Sequence, residues 1–370
     1  MVPEGYVDDV VEDVKRVDVK FVLTVTLVLG VYTVVVASAR KYLTVPSICP
    51  YEFRVDDILF NREIFGLSTK YITQEMRIPP LRIVLSGGGI RAVAHSGALK
   101  ALEEKGMLSA VKEYIGLSAG GLIAFCVAIG YSIPQLAALC QRFDFSSIRT
   151  LEFEDMLSFF ESYGLDTGAR LKRLLESLLR QRGLPADLTY KQLRELRPAS
   201  PVLRIFAADV CAVKPKEFSE KKTPGASIVM SLMASMCIPA YFVPVRDPET
   251  GHLLVDGGAL NSSPLAFLTE AEKETAVGIT FSEDHVKLEK VESLPQYFQQ
   301  IFACFYLPRT LDVWNKNKDI IIIPCGEYPL WDFEASEEAK KRMIELGYKA
   351  AVDFLAKKTE TRQGRRFSVS

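Results

Sequence analysis

Histidine is scarce in this chain of 370 residues, which contains only His95, His252 and His285. A Ser-His-Asp site needs a histidine on a loop at the carboxyl end of a strand. His95 falls inside a helical pattern, and His252 belongs to a turn before a strand. His285 follows a polar loop and is the best placed of the three. The histidines therefore give little support to a conventional triad.

Metal-binding spacings are also missing. The seven cysteines are scattered, mostly in apolar runs, and neither they nor the histidines have the spacing of a zinc site. No D-x-D-x-D-G calcium loop occurs. An odd number of scattered cysteines is typical of reduced core thiols, which predicts a domain facing the cytosol. A formal net charge of -1 argues against a general nucleic-acid binder. We expect no cofactor, no metal and no nucleic-acid partner.

One long run, residues 21–39, contains no charged residue and is flanked by Lys20 and Arg40. About 20 apolar residues suffice to cross a bilayer, so we predict a transmembrane or membrane-embedded helix here, after a polar segment at 1–20. A cleaved signal peptide and a buried core segment are the alternatives. The flanking basic residues are balanced and leave the orientation open. The apolar run at 226–245 contains two prolines, so it is predicted to be a core helix rather than a span.

A glycine-rich loop follows the first buried strand. Residues 81–85 predict the strand, residues 93–105 have helical spacing, and between them lies the loop Gly87-Gly88-Gly89-Ile90-Arg91. Such a loop exposes N–H groups, and a helix N-terminus adds partial positive charge. Its ligand is therefore a phosphate or the oxyanion of an acyl-transfer intermediate. The chain has neither the Lys-Ser/Thr of a P-loop nor a well-placed acidic ribose ligand, which argues against a nucleotide.

Ser118 is the candidate nucleophile. It lies in the pentapeptide Gly116-Leu117-Ser118-Ala119-Gly120, between a strand end and a helix start. A serine becomes nucleophilic when the fold holds it in a sharp, exposed turn next to a base. Larger side chains two residues before or after the serine would clash in such a turn. The glycine loop earlier in the chain favours this interpretation over a chance match.

Asp256 is the candidate base. It ends the apolar strand 253–255 and is followed at once by Gly257 and Gly258. A carboxylate at a strand end, next to two glycines, can approach a serine hydroxyl directly. The structural alternative for Asp-Gly-Gly is a hairpin turn. Asp256 is nevertheless better placed than any of the histidines.

In this order the three motifs resemble those of the patatin-like phospholipase family. That family carries a glycine loop with an arginine, a G-x-S-x-G elbow and a D-G-G or D-G-A motif, and the stretches at 94–99, 234–245 and 261–264 are similar too. The resemblance covers about 81–354. The chain departs from the family pattern at Ser86, where Asp is common, and at Ala92, where Gly is common. Neither departure removes a catalytic atom.

The resemblance implies a Ser118–Asp256 dyad without histidine. The N–H groups of Gly88, Gly89 and their neighbours would form the oxyanion hole, and Arg91 would orient a phosphate or the loop. The implied activity is cleavage of carboxylic esters in phospholipids or lysophospholipids through an acyl-enzyme. The alternatives are a triacylglycerol lipase or acyltransferase on the same fold, and a catalytically silent, membrane-tethered interaction protein.

Strands that alternate with helices predict an α/β fold with a mostly parallel sheet, and the resemblance implies the three-layer form. We expect a linker region at 40–80, a hydrolase domain at 81–356 and a basic, flexible tail at 357–370. A helical stretch at about 131–197 is predicted to cap the cleft. Five phenylalanines in it are candidates for an acyl channel, with ordinary core packing as the alternative: Phe143, Phe145, Phe153, Phe159 and Phe160. The expected partners are an acyl-lipid substrate and a membrane.

Overall fold

The computed structural model describes residues 79–148, 159–282, 290–292, 294–317, 319–330, 332 and 334–366. The predicted polar segment 1–20, the predicted membrane helix 21–39 and nearly all of the linker region 40–80 lie outside the described residues. In the part that is described, no helix is both long enough and apolar enough to cross a bilayer. Nearly all of these residues belong to one compact unit, 63–291 with 295–370.

The strands form a mixed sheet in which the parallel pairs predominate. They are β1 (Arg82–Leu85), β2 (Glu113–Leu117), β3 (Gly164–Asp166), β4 (Val202–Asp209), β5 (Lys214–Ser219), β6 (Ala240–Phe242), β7 (Val245–Arg246), β8 (Leu253–Asp256), β9 (Ala276–Phe281) and β10 (Ile320–Ile323). The main sheet has the order β10-β9-β1-β2-β4-β8-β7, with β5 also on β4, while β3 and β6 pair separately. From β10 to β4 all neighbours are parallel. The predicted α/β class with a mostly parallel sheet is confirmed.

The helices lie mainly between these strands. They are α1 (Val93–Glu104), α2 (Ala119–Ala128), α3 (Ile133–Arg142), α4 (Phe159–Ser162), α5 (Ala169–Gln181), α6 (Tyr190–Leu196), α7 (Ile228–Ser235), α8 (Glu270–Lys273), α9 (Leu294–Lys316) and α10 (Glu337–Arg366). Short 3-10 turns at Gly89–Ala92 and Gly257–Ala259 follow β1 and β8. The turn after β8 shows that Asp-Gly-Gly does not form a hairpin.

Both faces of the central strands are covered. In β1, Ile83 and Leu85 belong to the large core cluster with α1 and α2, whereas Val84 packs on the opposite face with Leu265 and residues of α9. Side chains alternate between the faces of a strand, so a strand buried on both sides is apolar throughout. This explains the apolar runs of β1 and β9, whereas β10 is an edge strand with Ile322 exposed.

The predicted core helix at 226–245 is shorter than expected. Only Ile228–Ser235 is helical, and the chain then forms β6 from Ala240 to Phe242. Pro239 is the physical reason, because proline lacks an N–H and disfavours helical geometry at the residue before it. The consequence is that Ile238 and Pro239 leave the helix and reach the rim of the candidate site.

Helix α10 is longer than expected. It continues to Arg366, into the stretch predicted to be a flexible tail from 357. Lys, Glu, Gln and Arg are good helix formers, and no proline follows Leu355 to stop the helix. Polarity alone was therefore a poor indicator of disorder here.

Strands β2 and β8 meet end to end beside β4. Leu117, the last residue of β2, pairs with Phe206, and Asp256, the last residue of β8, pairs with Ala207. Because β5 occupies the other side of β4 at both positions, β2 and β8 share one side. Strand β8 runs antiparallel to β4, so its carboxyl end points at the carboxyl end of β2. This arrangement brings residues 118 and 256 together.

Candidate active site

Ser118 sits in a strained turn between β2 and α2. Its φ of 53° and ψ of -132° lie outside the regions that non-glycine residues favour. The peptide N–H of Ser118 donates to Ser235 Oγ at 2.8 Å, and Ser235 Oγ in turn donates to the Phe206 carbonyl at 2.7 Å. These bonds attach the turn to α7 and β4. They hold Ser118 in the conformation that a nucleophile elbow requires.

The glycines on either side of Ser118 are required by close backbone contacts. A Cβ on Gly116 would come within 2.5 Å of Gly121 Cα, and one on Gly120 would lie 2.4 Å from the Ser86 carbonyl oxygen. The neighbouring groups are backbone atoms and cannot rotate away. The sequence argument for small residues at these two positions therefore has a direct geometric cause.

Asp256 lies within hydrogen-bond distance of the Ser118 hydroxyl. Ser118 Oγ donates to Asp256 Oδ2 at 2.5 Å, and the Gly258 N–H donates to Oδ1 at 2.8 Å. The Asp256 N–H donates to the Cys237 carbonyl at 2.7 Å and fixes the backbone. Gly257 is buried in the turn below. One carboxylate oxygen is thus held by the backbone while the other faces the hydroxyl.

Burial changes the acidity of Asp256. Removal from water raises the pKa of this carboxyl group, and the hydrogen bonds from Ser118 and Gly258 offset part of that effect. The resulting pKa is about 6, against an ordinary value of 3.8. A carboxylate with a pKa near 6 is ionised at neutral pH but is a much stronger base than a surface aspartate.

The glycine loop presents two N–H groups to the site. Gly87 donates to the Ser262 carbonyl at 3.0 Å and Ile90 donates to the Leu330 carbonyl at 3.1 Å. For Gly88 and Gly89 no backbone acceptor is found in the described part of the chain, and both line the cleft beside Ser118. The N-terminus of α2 begins at Ala119 and adds its partial positive charge. An anion next to Ser118 would be stabilised here.

Arg91 is fully buried behind this loop. Its Nε donates to the Tyr328 carbonyl at 2.6 Å, on the segment whose Leu330 carbonyl accepts from Ile90. Arg91 therefore fixes the glycine loop against the chain that follows β10. Arg91 is also among the residues that line the cleft.

Neither described histidine forms a hydrogen bond with Ser118. His95 is buried in α1, and its Nε2 lies 3.0 Å from the Ser86 carbonyl. Burial lowers the pKa of His95 to about 4, although the contact with Ser86 opposes the shift. His252 contacts Asp209, with 2.9 Å between Nδ1 and Oδ2. His285 lies outside the described residues.

The cleft around the dyad has a volume of about 800 Å³. The residues that line it and that sequence reasoning missed are Ile238, Pro239, Ala259, Ser262, Phe281, Tyr306 and Leu330. Tyr306 and Leu330 come from parts of the chain with no recognisable motif. Ser235 was also missed, because a serine inside an apolar helix has no local signal for its bond to Ser118.

The described helices of the stretch predicted to cap the cleft do not line it. In the described parts of 131–197, no residue lines the cleft, and α3, α5 and α6 contribute to the main core instead. The reason is that their apolar faces pack against α1, α7 and α10. Phe159 is buried, Phe160 is exposed, and Phe153 lies outside the described residues.

Phe143 and Phe145 do line a second, almost wholly apolar cavity of about 470 Å³. Its wall includes Gly89 of the glycine loop and Ala119, the residue after Ser118. The opposite wall is formed by side chains of α3 and α5, including Leu136, Leu139, Leu174 and Leu178. A mainly apolar cavity thus lies next to the elbow.

The fold is that of a family of α/β lipid hydrolases. Residues 83–269, half of the chain, match the profile of the patatin-like phospholipases, and the chain belongs to that family. It is 26% identical over 295 residues to the uncharacterised protein YqhO of Bacillus subtilis. The alignment covers 74% of this chain and 97% of YqhO. The chain is 27% identical over 207 residues to the probable lipid hydrolase 463L of Invertebrate iridescent virus 6, covering 55% of this chain and 66% of the viral protein.

The fold is also similar to that of a solved structure. The crystal structure of VipD from Legionella pneumophila aligns with a TM-score of 0.51 at 19% identity, over 76% of this chain and 67% of VipD. At this identity the likeness concerns the fold alone.

Proposed function

We propose that this protein is a serine-dependent acyl hydrolase that cleaves carboxylic esters of phospholipids or lysophospholipids. The observation that carries the proposal is the 2.5 Å hydrogen bond from Ser118 Oγ to the buried Asp256 carboxylate. Membership of a lipid hydrolase family supports the substrate class. The lining of the cleft supports it further, because apolar side chains such as Ile238, Phe281 and Leu330 stand around the dyad.

The first half of the reaction forms an acyl-enzyme. Asp256 accepts the Ser118 proton as Ser118 Oγ attacks the ester carbonyl carbon, and the carbonyl oxygen becomes an oxyanion held by the Gly88 and Gly89 N–H groups. The tetrahedral intermediate collapses with cleavage of the bond to the leaving alcohol or lysolipid. The proton on Asp256 passes to that leaving oxygen, so charge and protons balance.

The second half regenerates the enzyme. Asp256 accepts a proton from water, the resulting hydroxide attacks the acyl-enzyme carbonyl, and the same N–H groups hold the second oxyanion. Collapse releases the fatty acid, and Asp256 returns the proton to Ser118. A single base serves both halves, so no histidine is needed in this scheme.

The substrate class can be tested on a lipid panel. We expect mass spectrometry to detect free fatty acid and lysolipid from phospholipids, and the same preparation to react with a fluorophosphonate probe at Ser118. A matched incubation with triacylglycerols and with a second alcohol as acceptor separates the hydrolase from a lipase or an acyltransferase. Faster release from triacylglycerol, or transfer to the alcohol in place of hydrolysis, would reassign the substrate. No probe reaction would favour a silent scaffold.

The pH profile provides a test of the base. Only ionised Asp256 accepts a proton, and its pKa is about 6. We therefore expect kcat/KM on a soluble monomeric ester to be constant above about pH 7 and to fall about tenfold for each pH unit below about pH 5. A break near pH 4, the value for an ordinary aspartate, would show that the carboxyl is not buried during catalysis.

We also propose that the protein acts at a membrane, with its catalytic domain on the cytosolic side. This rests on the apolar run 21–39 and on the scattered cysteines of the sequence. All six cysteines in the described part of the chain are free thiols. Attachment through the run 21–39 would keep the cleft close to lipid, and extraction of cell membranes with carbonate would test it.

A further inference from the structure

The β4–β5 hairpin extends beyond the level of the dyad. Strand β4 pairs with β2 only as far as Phe206, opposite Leu117, and then continues to Asp209. The chain turns through residues 210–213 and returns as β5. At about 3.3 Å per residue, Val210 lies about 10 Å beyond the level of Ala207, which pairs with Asp256. The hairpin tip therefore lies beyond the carboxyl end of β2 and beside the start of β8, where the Val210 N–H donates to the Leu253 carbonyl.

The tip is apolar and exposed. Val210 is 50% exposed and Val213 is 78% exposed, which makes Val213 the most exposed large apolar side chain in the described part of the molecule. Cys211 is exposed between them, and Lys214 and Pro215 are exposed next to them. We refer to residues 210–215 as the hairpin tip. Exposed apolar side chains that cluster beside a basic residue are typical of a surface that meets lipid.

The backbone at Val213 is also unusual. Its φ is 52°, in the left-handed region that is unfavourable for a β-branched residue. Gly or Asn would fit this turn position at lower cost, yet the residue present is a strained and exposed valine. A strained residue that is also exposed is a candidate functional position.

The hairpin tip is held firmly against the rest of the sheet. At its base, Asp209 contacts His252 at 2.9 Å, and Lys216 contacts Asp247 at 2.9 Å. Both contacts join the β4–β5 hairpin to the turn between β7 and β8. Strand β8 also carries Asp256, so these two contacts connect the hairpin to the strand that holds the proposed catalytic base.

We propose that the hairpin tip inserts into the lipid surface from which the cleft takes its substrate. The proposal rests on the proposed function in one respect, namely that the substrate is a lipid held in a membrane or micelle. Val210 and Val213 would enter the interface, and Lys214 would meet anionic headgroups. A lipid surface fits better than a protein partner because the exposed apolar surface is small, with two exposed valines and Lys214 next to them.

The first test compares two substrates for the full chain. We expect Val213→Asn to slow hydrolysis of phosphatidylcholine–phosphatidylserine vesicles about tenfold, since one buried valine side chain is worth about that factor. Hydrolysis of monomeric p-nitrophenyl butyrate should stay within about twofold. Asn tolerates the left-handed backbone, so the variant should fold at least as stably as the wild type. Val213→Leu should retain vesicle hydrolysis.

A matched control uses Leu196, which is 55% exposed at the end of α6, near the start of β4 and therefore at the opposite edge of the sheet. Leu196→Asn should leave both rates unchanged. If it slows vesicle hydrolysis as much as Val213→Asn, the effect is not specific to the tip. An unchanged vesicle rate in Val213→Asn overturns the proposal.

The second test measures insertion without catalysis. In the full-length Val213→Trp protein, vesicles of brominated phosphatidylcholine should quench tryptophan fluorescence well beyond the quenching of the wild type. Equal quenching in both proteins would overturn insertion even if the wild type hydrolyses esters. If Val213→Trp shows the extra quenching but the wild type hydrolyses no ester, insertion is supported and the proposed function is wrong. The two proposals therefore fail separately.

Discussion

Replacement of Ser118 by alanine is expected to lower kcat/KM for ester hydrolysis by about 10⁴-fold or more, to the level that an oxyanion hole and binding alone supply. The hydroxyl is the attacking group, and no other described serine hydroxyl is bonded to Asp256. The fold should be retained, because the Ser118 N–H, which donates to Ser235, is unchanged. Initial rates on a monomeric ester and on mixed micelles measure the effect.

Ser109→Ala provides the matched control. Ser109 is exposed on the turn after α1, where its hydroxyl donates to the Gly106 carbonyl, and its loss should leave both rates unchanged. A Ser118→Ala enzyme with more than about a tenth of wild-type activity would remove Ser118 as the nucleophile. Covalent labelling by a fluorophosphonate that persists in this variant would lead to the same conclusion.

Replacement of Asp256 by asparagine is expected to abolish activity and to stabilise the fold. Asn cannot accept the Ser118 proton, so kcat/KM should fall by about 10³–10⁴-fold. Because the pKa is raised to about 6, the ionised carboxylate lowers the free energy of unfolding at neutral pH, by at most about 3 kcal/mol. Because Asn keeps an acceptor for the Gly258 N–H, we expect the free energy of unfolding at pH 7 to rise by about 1–2 kcal/mol.

The sign of the pH effect follows from the same shift. The folded-state pKa lies above the unfolded value of 3.8, so the contribution of Asp256 to stability is most favourable below about pH 4 and is lost as the pH rises through about 6. Asp256→Asn should remove this dependence. Urea unfolding at pH 5 and at pH 7 measures it, and the gain in stability should be larger at pH 7.

Asp247→Asn is the matched control for charge. Burial alone raises the pKa of Asp247, but bonds from Lys216, the Glu249 N–H and Thr250 outweigh it and hold the pKa below its ordinary value. Loss of this charge leaves Lys216 without its closest partner, so the control should lower stability while Asp256→Asn raises it. If both variants lower stability, burial of the Asp256 charge is not costly in the folded state.

Much of the scaffold could be read from local patterns. Strands β1, β4, β9 and β10 are apolar runs, and the helices after the glycine loop and after Ser118 begin where the motifs place them. Strand β5 was not foreseen, since Lys-Pro-Lys-Glu-Phe-Ser does not have the composition of a buried strand. It forms because β4 offers a free edge beside it, which is a property of the sheet and not of the segment.

The described part of the predicted cap does not line the cleft, for a related reason. Amphipathic helices at 131–197 were foreseen, but the direction of their apolar faces was not. Those faces pack into the core with α1 and α7, and the cleft walls come instead from Tyr306 and Leu330. Helical spacing shows that one face is buried and does not show against which element.

The sequence by itself determined the fold class, the family, and the identity and order of the residues proposed for the dyad, because glycines around a turn and a carboxylate at a strand end are local requirements. The tertiary structure decided how Ser118 and Asp256, which are 138 residues apart in the chain, come into hydrogen-bond contact. They meet because β8 runs antiparallel to β4 and its end meets the end of β2. It also decided which residues of the glycine loop line the cleft and which side chains of the hairpin tip are exposed. These depend on the packing of distant segments, and local periodicity carries no information about that packing.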